Sequence, residues 1–278
     1  MKRIFALILG AVIMAATFAS CGNNGSDTIT VVSREDGSGT RSAFVELMGI
    51  LQDDKDMTYE RAEISNSTSV VMSTVAGNAN AIGYISLGSL NDSVKAVNVD
   101  GVEATVDNIK SGSYKVSRPF DIATKDDLSD LAKDFINFIL STDGQAIVAE
   151  DYIALDATES YTPSGLTGKI TLAGSTSVSP LMEQLAAAYK ELNPDVTIEI
   201  QQSGSSAGIQ SAIEGVCDIG MASREIKEDE INAGLTPTVI ALDGIAVIVN
   251  NDNEVSDLTS EQIKNIYTGE VTSWSDVK

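Results

Sequence analysis

The chain has 278 residues, with 18 Lys and Arg against 40 Asp and Glu, so its formal charge is -22. So acidic a surface repels phosphate backbones and anionic lipid at long range, which argues against nucleic-acid binding and charge-driven membrane adhesion. The lack of histidine removes Ser-His-Asp and Cys-His catalysis and His-ligated zinc.

Lys2 and Arg3 precede an apolar run at residues 4–18, followed by Ala19, Ser20 and Cys21. The run is shorter than the roughly 20 residues of a membrane span and closes on small residues beside a cysteine, as a bacterial lipoprotein signal does. Residues 1–20 are expected to be a signal peptide, Cys21 the lipidated start of the mature chain, and 21–27 a flexible tether.

Residues 29–32 are a strand candidate leading into Ser33-Arg34-Glu35-Asp36-Gly37-Ser38-Gly39-Thr40 and a helix with Phe44, Leu47 and Met48 on one face. Ser65-Asn66-Ser67-Thr68-Ser69 precedes Val70, Val71 and Val75 as a fourth capped helix start, for which a plain N-cap is a simpler explanation than a ligand role. Residues 92–117 are charged and turn-rich, with a short strand at 96–99. Residues 130–140 make a helix with Leu131, Phe135, Phe138 and Ile139 inward, and 157–169, holding Pro163, Gly165 and Gly168, have linker composition.

A strand at 170–173 then leads into Gly174-Ser175-Thr176-Ser177 and a helix with Val178, Leu181, Met182, Leu185, Tyr189 and Leu192 at helical spacing, stopped by Asn193-Pro194. Val196, Ile198 and Ile200 alternate as in a strand, ahead of Gly204-Ser205-Ser206-Ala207-Gly208 and a short helix. Strands at 218–222 and 239–250 and a helix at 259–267 opened by Thr-Ser-Glu-Gln complete the pattern. Cys217 reads as a buried unpaired thiol. Strands alternating with helices imply an α/β fold with mostly parallel sheets.

Strand, Ser/Gly loop, helix thus recurs three times. Such a loop offers unsatisfied N–H groups, the positive end of a helix dipole and uncharged hydroxyl donors, which together suit an anion. In an open α/β sheet these loops lie at the carboxyl ends of strands and can converge on one crevice. Arg34 is placed to offer a planar fork to two oxygens of the same ligand, with Asp36 positioned to hold that fork. No Gly-Lys-Ser/Thr follows the glycines, so nucleotide hydrolysis is unsupported, and metal ligands do not cluster. No cofactor is expected.

The segments at 33–41, 170–178, 204–208, 218–225 and 241–250, with Ile82-Gly83-Tyr84-Ile85 and residues 140–146, resemble the phosphate-binding lipoproteins of high-affinity phosphate ABC importers. The resemblance implies the type II periplasmic-binding-protein fold, two α/β lobes closing on the ligand. It puts phosphate contacts on Arg34, Ser38, Gly39, Thr40, Thr176, Ser177 and Ser205. Where the family has a pocket carboxylate this chain has Arg224, leaving Glu225 or Asp36 as candidate acceptors for a ligand proton. The order also departs, since family members begin with the Gly-Ser-Thr-Ser unit that here starts at Gly174. The chain therefore resembles a circularly permuted member, with 157–169 joining the usual ends, or a fragment of a tandem gene.

On this reading residues 28–88 and 247–278 form one lobe, called lobe two, and 89–246 the other, lobe one. The expected protein is a monomeric, extracytoplasmic, lipid-anchored receptor that binds without catalysis and delivers inorganic phosphate to an ABC permease, with no membrane contact beyond the anchor. Capture of sulfate or molybdate, a phosphate sensor, and a phosphate-ester hydrolase are the alternatives.

Overall fold

The computed structural model describes residues 27–277; the signal segment, Cys21 and nearly all of the tether lie outside the described residues. The strands that matter for the site are β1 (Thr30–Arg34), β2 (Glu63–Ser65), β3 (Ala81–Ser86), β4 (Lys95–Ala96), β5 (Ser117–Lys125), β6 (Gly168–Gly174), β7 (Val196–Gln202), β8 (Ile219–Ala222) and β9 (Leu235–Val249). They form one sheet in the order β7-β6-β8-β5-β9-β3-β1-β2, with β4 also on β9. β1 runs parallel to β2 and β3, and β6 parallel to β7 and β8. The central strands β5 and β9 are antiparallel to their neighbours and to each other. The mostly parallel α/β fold expected from the alternating pattern is present.

Local chemistry sets the helices. Ser38 caps α1 (Gly39–Leu47) by accepting from the Arg41 N–H, and Ser67 caps α2 (Thr68–Ala76) by accepting from the Val70 N–H. Ser129 caps α3 (Asp130–Leu140), whose Leu131, Phe135, Phe138 and Ile139 are buried as the spacing predicts. α4 (Thr142–Asp151) follows, capped by Ser141. α5 (Ser179–Leu192) carries Pro180 in its first turn and ends at Asn193, before Pro194. α6 (Ser205–Glu214) starts after Gly204 and ends on left-handed Gly215. α7 (Ser260–Tyr267) opens with a reciprocal capping box between Thr259 and Gln262.

Two main hydrophobic cores lie on either side of the β5–β9 crossing. One gathers Ile29, Val31, Val32, Phe44, Tyr84, Val94, Ile109, Tyr114, Val116, Ile245–Val249 and Tyr267. The other gathers Phe120, Ile122, Phe135, Tyr189, Leu172, Met221 and Ala241. This corrects the sequence-based boundary: residues 94–116 pack with lobe two, so the chain crosses between cores near 116–120 and 241–245 rather than at 89 and 247. Turn-rich composition concealed that Val94, Val97, Val99, Ile109 and Tyr114 all point inward. The two crossing strands are paired, with Ser117 opposite Gly244 and Arg118 opposite Asp243.

Both ends of the described chain lie in lobe two and pair with each other. Thr28 bridges Ser273, the Ile29 N–H donates to Thr272 O at 2.8 Å and the Trp274 N–H to Asp27 O at 2.9 Å. The 157–167 stretch has no regular structure but is fastened to lobe one. Tyr161 donates its hydroxyl to Asp134 Oδ2 at 2.6 Å, the same oxygen that accepts from Tyr189 at 2.6 Å and Ser164 at 2.9 Å.

Cys217 is free and buried, and burial pushes its thiol up to about 11, so it stays protonated and inert as a small hydrophobe. Asp121 on β5 is buried with Oδ1 lacking a hydrogen-bond partner, and burial raises its carboxyl to about 6 from 3.8. The folded state therefore holds this proton more tightly than the unfolded chain. The resulting stability is full below about pH 4 and is lost as pH rises through about 6. Asp121→Asn is expected to remove that slope and stabilise the protein at pH 7 by on the order of 1 kcal/mol, or about 2–4 °C, as read by thermal unfolding at pH 4, 5, 6 and 7.

Candidate functional site

Five parallel strands end at one seam between the lobes: β1 and β2 from lobe two, and β6, β7 and β8 from lobe one. Each delivers a hydroxyl or a guanidinium within a residue or a few of its last position, the placement expected where loops leave the carboxyl ends of parallel strands. β1 gives Arg34, then Ser38, Gly39 and Thr40 at the start of α1. β2 leads to Thr68 at the start of α2. β6 gives Ser175, Thr176 and Ser177, β7 gives Ser205, and β8 gives Ser223.

These groups touch across the seam. Thr40 Oγ1 lies 2.8 Å from Ser177 Oγ and 3.2 Å from Ser223 Oγ. Thr68 Oγ1 lies 3.2 Å from Ser177 Oγ and 3.4 Å from Thr176 Oγ1. Ser205 Oγ accepts from the Gly39 N–H and the Ser223 N–H, each at 3.2 Å. The backbone closes too, with the Ser206 N–H donating to Gly37 O at 3.0 Å. Gly37 holds φ +86, and its turn brings the two backbones together; a Cβ there would lie 3.2 Å from Ser206 Cβ.

Arg34 is 2% exposed and is fixed from behind. Its N–H donates to the Tyr84 hydroxyl at 3.1 Å; Tyr84 also meets Ser33 Oγ at 2.8 Å and stacks on Phe44 at 4.0 Å. Its Nε and one terminal nitrogen donate to the two Glu35 oxygens at 2.8 Å each, and that nitrogen also reaches Thr176 Oγ1 at 3.1 Å across the lobes. A cleft of about 360 Å³ lined by Ser67, Thr68, Met72, Thr176, Pro180 and Gln202 opens onto this side of the cluster. A wider cleft of about 460 Å³ runs past Ser42, Glu46, Arg118 and Arg224. The convergence of hydroxyls and Arg34 lies at the seam itself, so size alone does not mark the site.

The structure brings Arg34, Gly39, Thr40, Thr176, Ser177 and Ser205 together. Ser38 is buried beside them, with its side chain turned back to cap α1. Neither acceptor candidate faces the cluster, and Arg224, which holds the family's carboxylate position, reaches only its edge, at Ser206 Oγ 3.4 Å away. Asp36 is 97% exposed and pairs with Arg41 at 2.8 Å; the Arg34 fork is held by Glu35, because a carboxylate one residue on can curl back along the guanidinium edge. Arg224 is buried and bidentate to Glu230, at 2.7 and 2.9 Å. Glu225 is exposed, with only its backbone carbonyl accepting from Arg224 at 2.8 Å.

Sequence reasoning passes over Ser175, Ser223 and Arg118 as site residues and ranks capping above a ligand role for the segment that holds Thr68. Ser223 carried a usable signal, since Asp218–Ala222 followed by Ser repeats the strand-to-hydroxyl step a fourth time. Thr68 is separable from its cap, because Ser67 does the capping and leaves the Thr68 hydroxyl free for the seam. Arg118 sat in a segment whose strand was illegible. Among the described residues, no group of three or more His, Cys, Asp or Glu could hold a metal ion.

Two α/β lobes joined by paired strands and meeting across a hydroxyl-lined seam define a bilobal binding protein of the type II kind. The profile described as the PBP superfamily domain matches residues 20–143 and 159–278. A Streptococcus agalactiae protein named phosphate-binding protein PstS 2 is 50% identical over 287 aligned residues, covering 99% of this chain and 98% of that one. Streptococcus pneumoniae has a similarly named protein, 50% identical with 93% of each chain covered. A crystal structure described as a phosphate ABC transporter, phosphate-binding protein from Streptococcus pneumoniae TIGR4 superposes with a TM-score of 0.72 at 51% identity, covering 90% of this chain and 100% of that one. The chain belongs to the PBP superfamily, within the family of PstS phosphate-binding proteins.

Proposed function

We propose that this protein is an extracytoplasmic, lipid-anchored receptor that captures inorganic phosphate and delivers it to an ABC permease, without catalysing a reaction. The observation that carries the reading is the meeting of Arg34 with Thr40, Thr68, Thr176, Ser177, Ser205 and Ser223 where two lobes close. A tetrahedral oxyanion accepts many hydrogen bonds, and this seam supplies uncharged donors from both sides around one guanidinium. The names of the streptococcal relatives support phosphate as the ligand and an ABC importer as the destination. Arg34, Ser38, Gly39, Thr40, Thr176, Ser177 and Ser205 from the sequence reading, joined by Thr68 and Ser223, are the proposed ligand shell.

The remaining proposals are residues 1–20 as a cleaved signal, Cys21 as the lipid attachment site, a monomer in solution, and the permuted order of a single receptor. Support for the last comes from the pairing of residues 27–29 with 272–274 in one lobe and from relatives that align along nearly the whole chain. Cys21→Ala should release the protein from membranes into the medium, as read by fractionation.

Calorimetric titration of the purified protein with phosphate and with sulfate tests the ligand. Saturable phosphate binding with weak or no sulfate binding is expected; equal binding would make the function general oxyanion capture, and no phosphate binding would overturn the reading. A second arm concerns the proton by which phosphate differs from sulfate at neutral pH. Because Glu225 is exposed and is held only through its backbone carbonyl, Glu225→Gln is expected to leave both affinities within about twofold of wild type. A gain of sulfate binding would restore Glu225 as the discriminating acceptor.

A further inference from the structure

Behind the hydroxyl seam lies a second arginine that the ligand shell does not include. Arg118 is 4% exposed and stands on β5 where the chain crosses between lobes. One terminal nitrogen of its guanidinium is ion-paired with Asp243, itself 1% exposed on β9, and donates also to the carbonyl of Asp243 at 3.3 Å and of Gly244 at 3.1 Å. Its Nε donates to Ser223 O at 3.2 Å, in lobe one. The other terminal nitrogen donates to Thr40 Oγ1 at 3.2 Å, in lobe two. The guanidinium also lies over the Phe120 ring, 5.0 Å from its centroid. One planar cation is therefore held by both crossing strands and touches a residue of the seam from each lobe.

A threonine hydroxyl has one proton and two acceptor positions, while a guanidinium has only protons to give. The Arg118 contact must therefore fill an acceptor position of Thr40, and the Thr40 proton cannot be turned toward it. That proton is left for the seam, where Ser177 and Ser223 stand at 2.8 and 3.2 Å. A donor on the oxygen of a hydroxyl also polarises its O–H bond and strengthens the bond that hydroxyl gives.

We propose that Arg118 is a positioning residue of the anion site: anchored on β9 through Asp243, it occupies the acceptor side of Thr40 so that the Thr40 hydroxyl gives its proton to the ligand. The role rests on the proposed function above, because it needs an anion at the seam. It also ties ligand capture to the crossing strands, since Thr40 and Ser223 reach the same guanidinium only when the lobes are together.

The test is a double-mutant cycle read by calorimetric titration with phosphate. Arg118→Lys keeps the charge beside Asp243, but a single ammonium cannot span Asp243, Ser223 O and Thr40 Oγ1 together. It is expected to weaken phosphate binding about tenfold. In a Thr40→Val background the same substitution should cost less than about twofold, and in a Thr40→Ser background, which keeps the hydroxyl, the tenfold loss should return. A purely structural arginine would cost the same factor in all three backgrounds, and that result, or no loss from Arg118→Lys alone, overturns the proposal. Should Arg118→Lys fail to fold by circular dichroism, Asp243→Asn, which loosens the anchor and keeps the guanidinium, is expected to give a smaller loss with the same dependence on the Thr40 hydroxyl; an equal loss in the Thr40→Val background overturns it. Wild-type protein that binds no phosphate removes the proposed function and this role with it, whereas wild-type binding without the Thr40 dependence removes only the role of Arg118.

Discussion

Arg34→Ala is expected to weaken phosphate binding by at least about 100-fold. Hydrogen bonds to charged groups contribute roughly 1.5 to 3 kcal/mol each, and a guanidinium fork can give two to one tetrahedral anion. The loss is compounded by what remains. Glu35 gives both its oxygens to Arg34 at 2.8 Å, so removing the arginine leaves a carboxylate at the seam facing an incoming dianion. Arg34→Ala combined with Glu35→Gln should recover part of the affinity, and calorimetry on the two variants separates the lost donor from the unmasked charge. Wild-type binding by Arg34→Ala would remove this residue from the site.

Gly39→Ala should be nearly as damaging by a steric route. A methyl on Gly39 would sit 2.5 Å from Ser205 Oγ, 2.9 Å from Ser223 Oγ and 3.0 Å from the Ser223 backbone carbon. All three belong to lobe one, whereas Gly39 starts a helix of lobe two, so the added carbon stands between the lobes rather than inside either core. The lobes should fold but be held apart, with phosphate affinity falling on the order of 100-fold while the melting temperature without ligand stays within about 3 °C of wild type. Small-angle scattering with saturating phosphate should show the wild type more compact than the variant. Full closure and binding by Gly39→Ala would mean that the close approach at Gly39 yields easily.

Much of this fold was legible because its signals are local. Alternating Val196, Ile198 and Ile200, the inward stripe of α5 and the Thr259–Gln262 capping box each report their own element, and the three Ser/Gly loops could be placed at strand ends without knowing which strands were neighbours. What stayed hidden depends on partners far along the chain. The 94–116 segment reveals its lobe only through contacts with residues near 245–258. Arg118 is a site-supporting residue solely because β5 sets it opposite Asp243 on β9. The choice of Glu35 over Asp36 as the partner of Arg34 turned on which carboxylate faces inward, and neighbouring acidic residues in a loop carry no periodicity to settle that.

The paired crossing strands have a consequence for how the chain acquires its shape as it emerges amino end first. Everything in the second core, from Phe120 to Ala241, is continuous in sequence, so lobe one can complete itself while later residues are still arriving. Lobe two cannot. Its first-made part, with β1, α1 and Tyr84, lacks the stretch Ile245–Val249, α7 and the 272–274 edge until the last residues are free. Contacts of that sequence separation are slow to form, so the half that carries Arg34 is expected to be the last to become native, and the proposed oxyanion site to be complete only at the final step of folding.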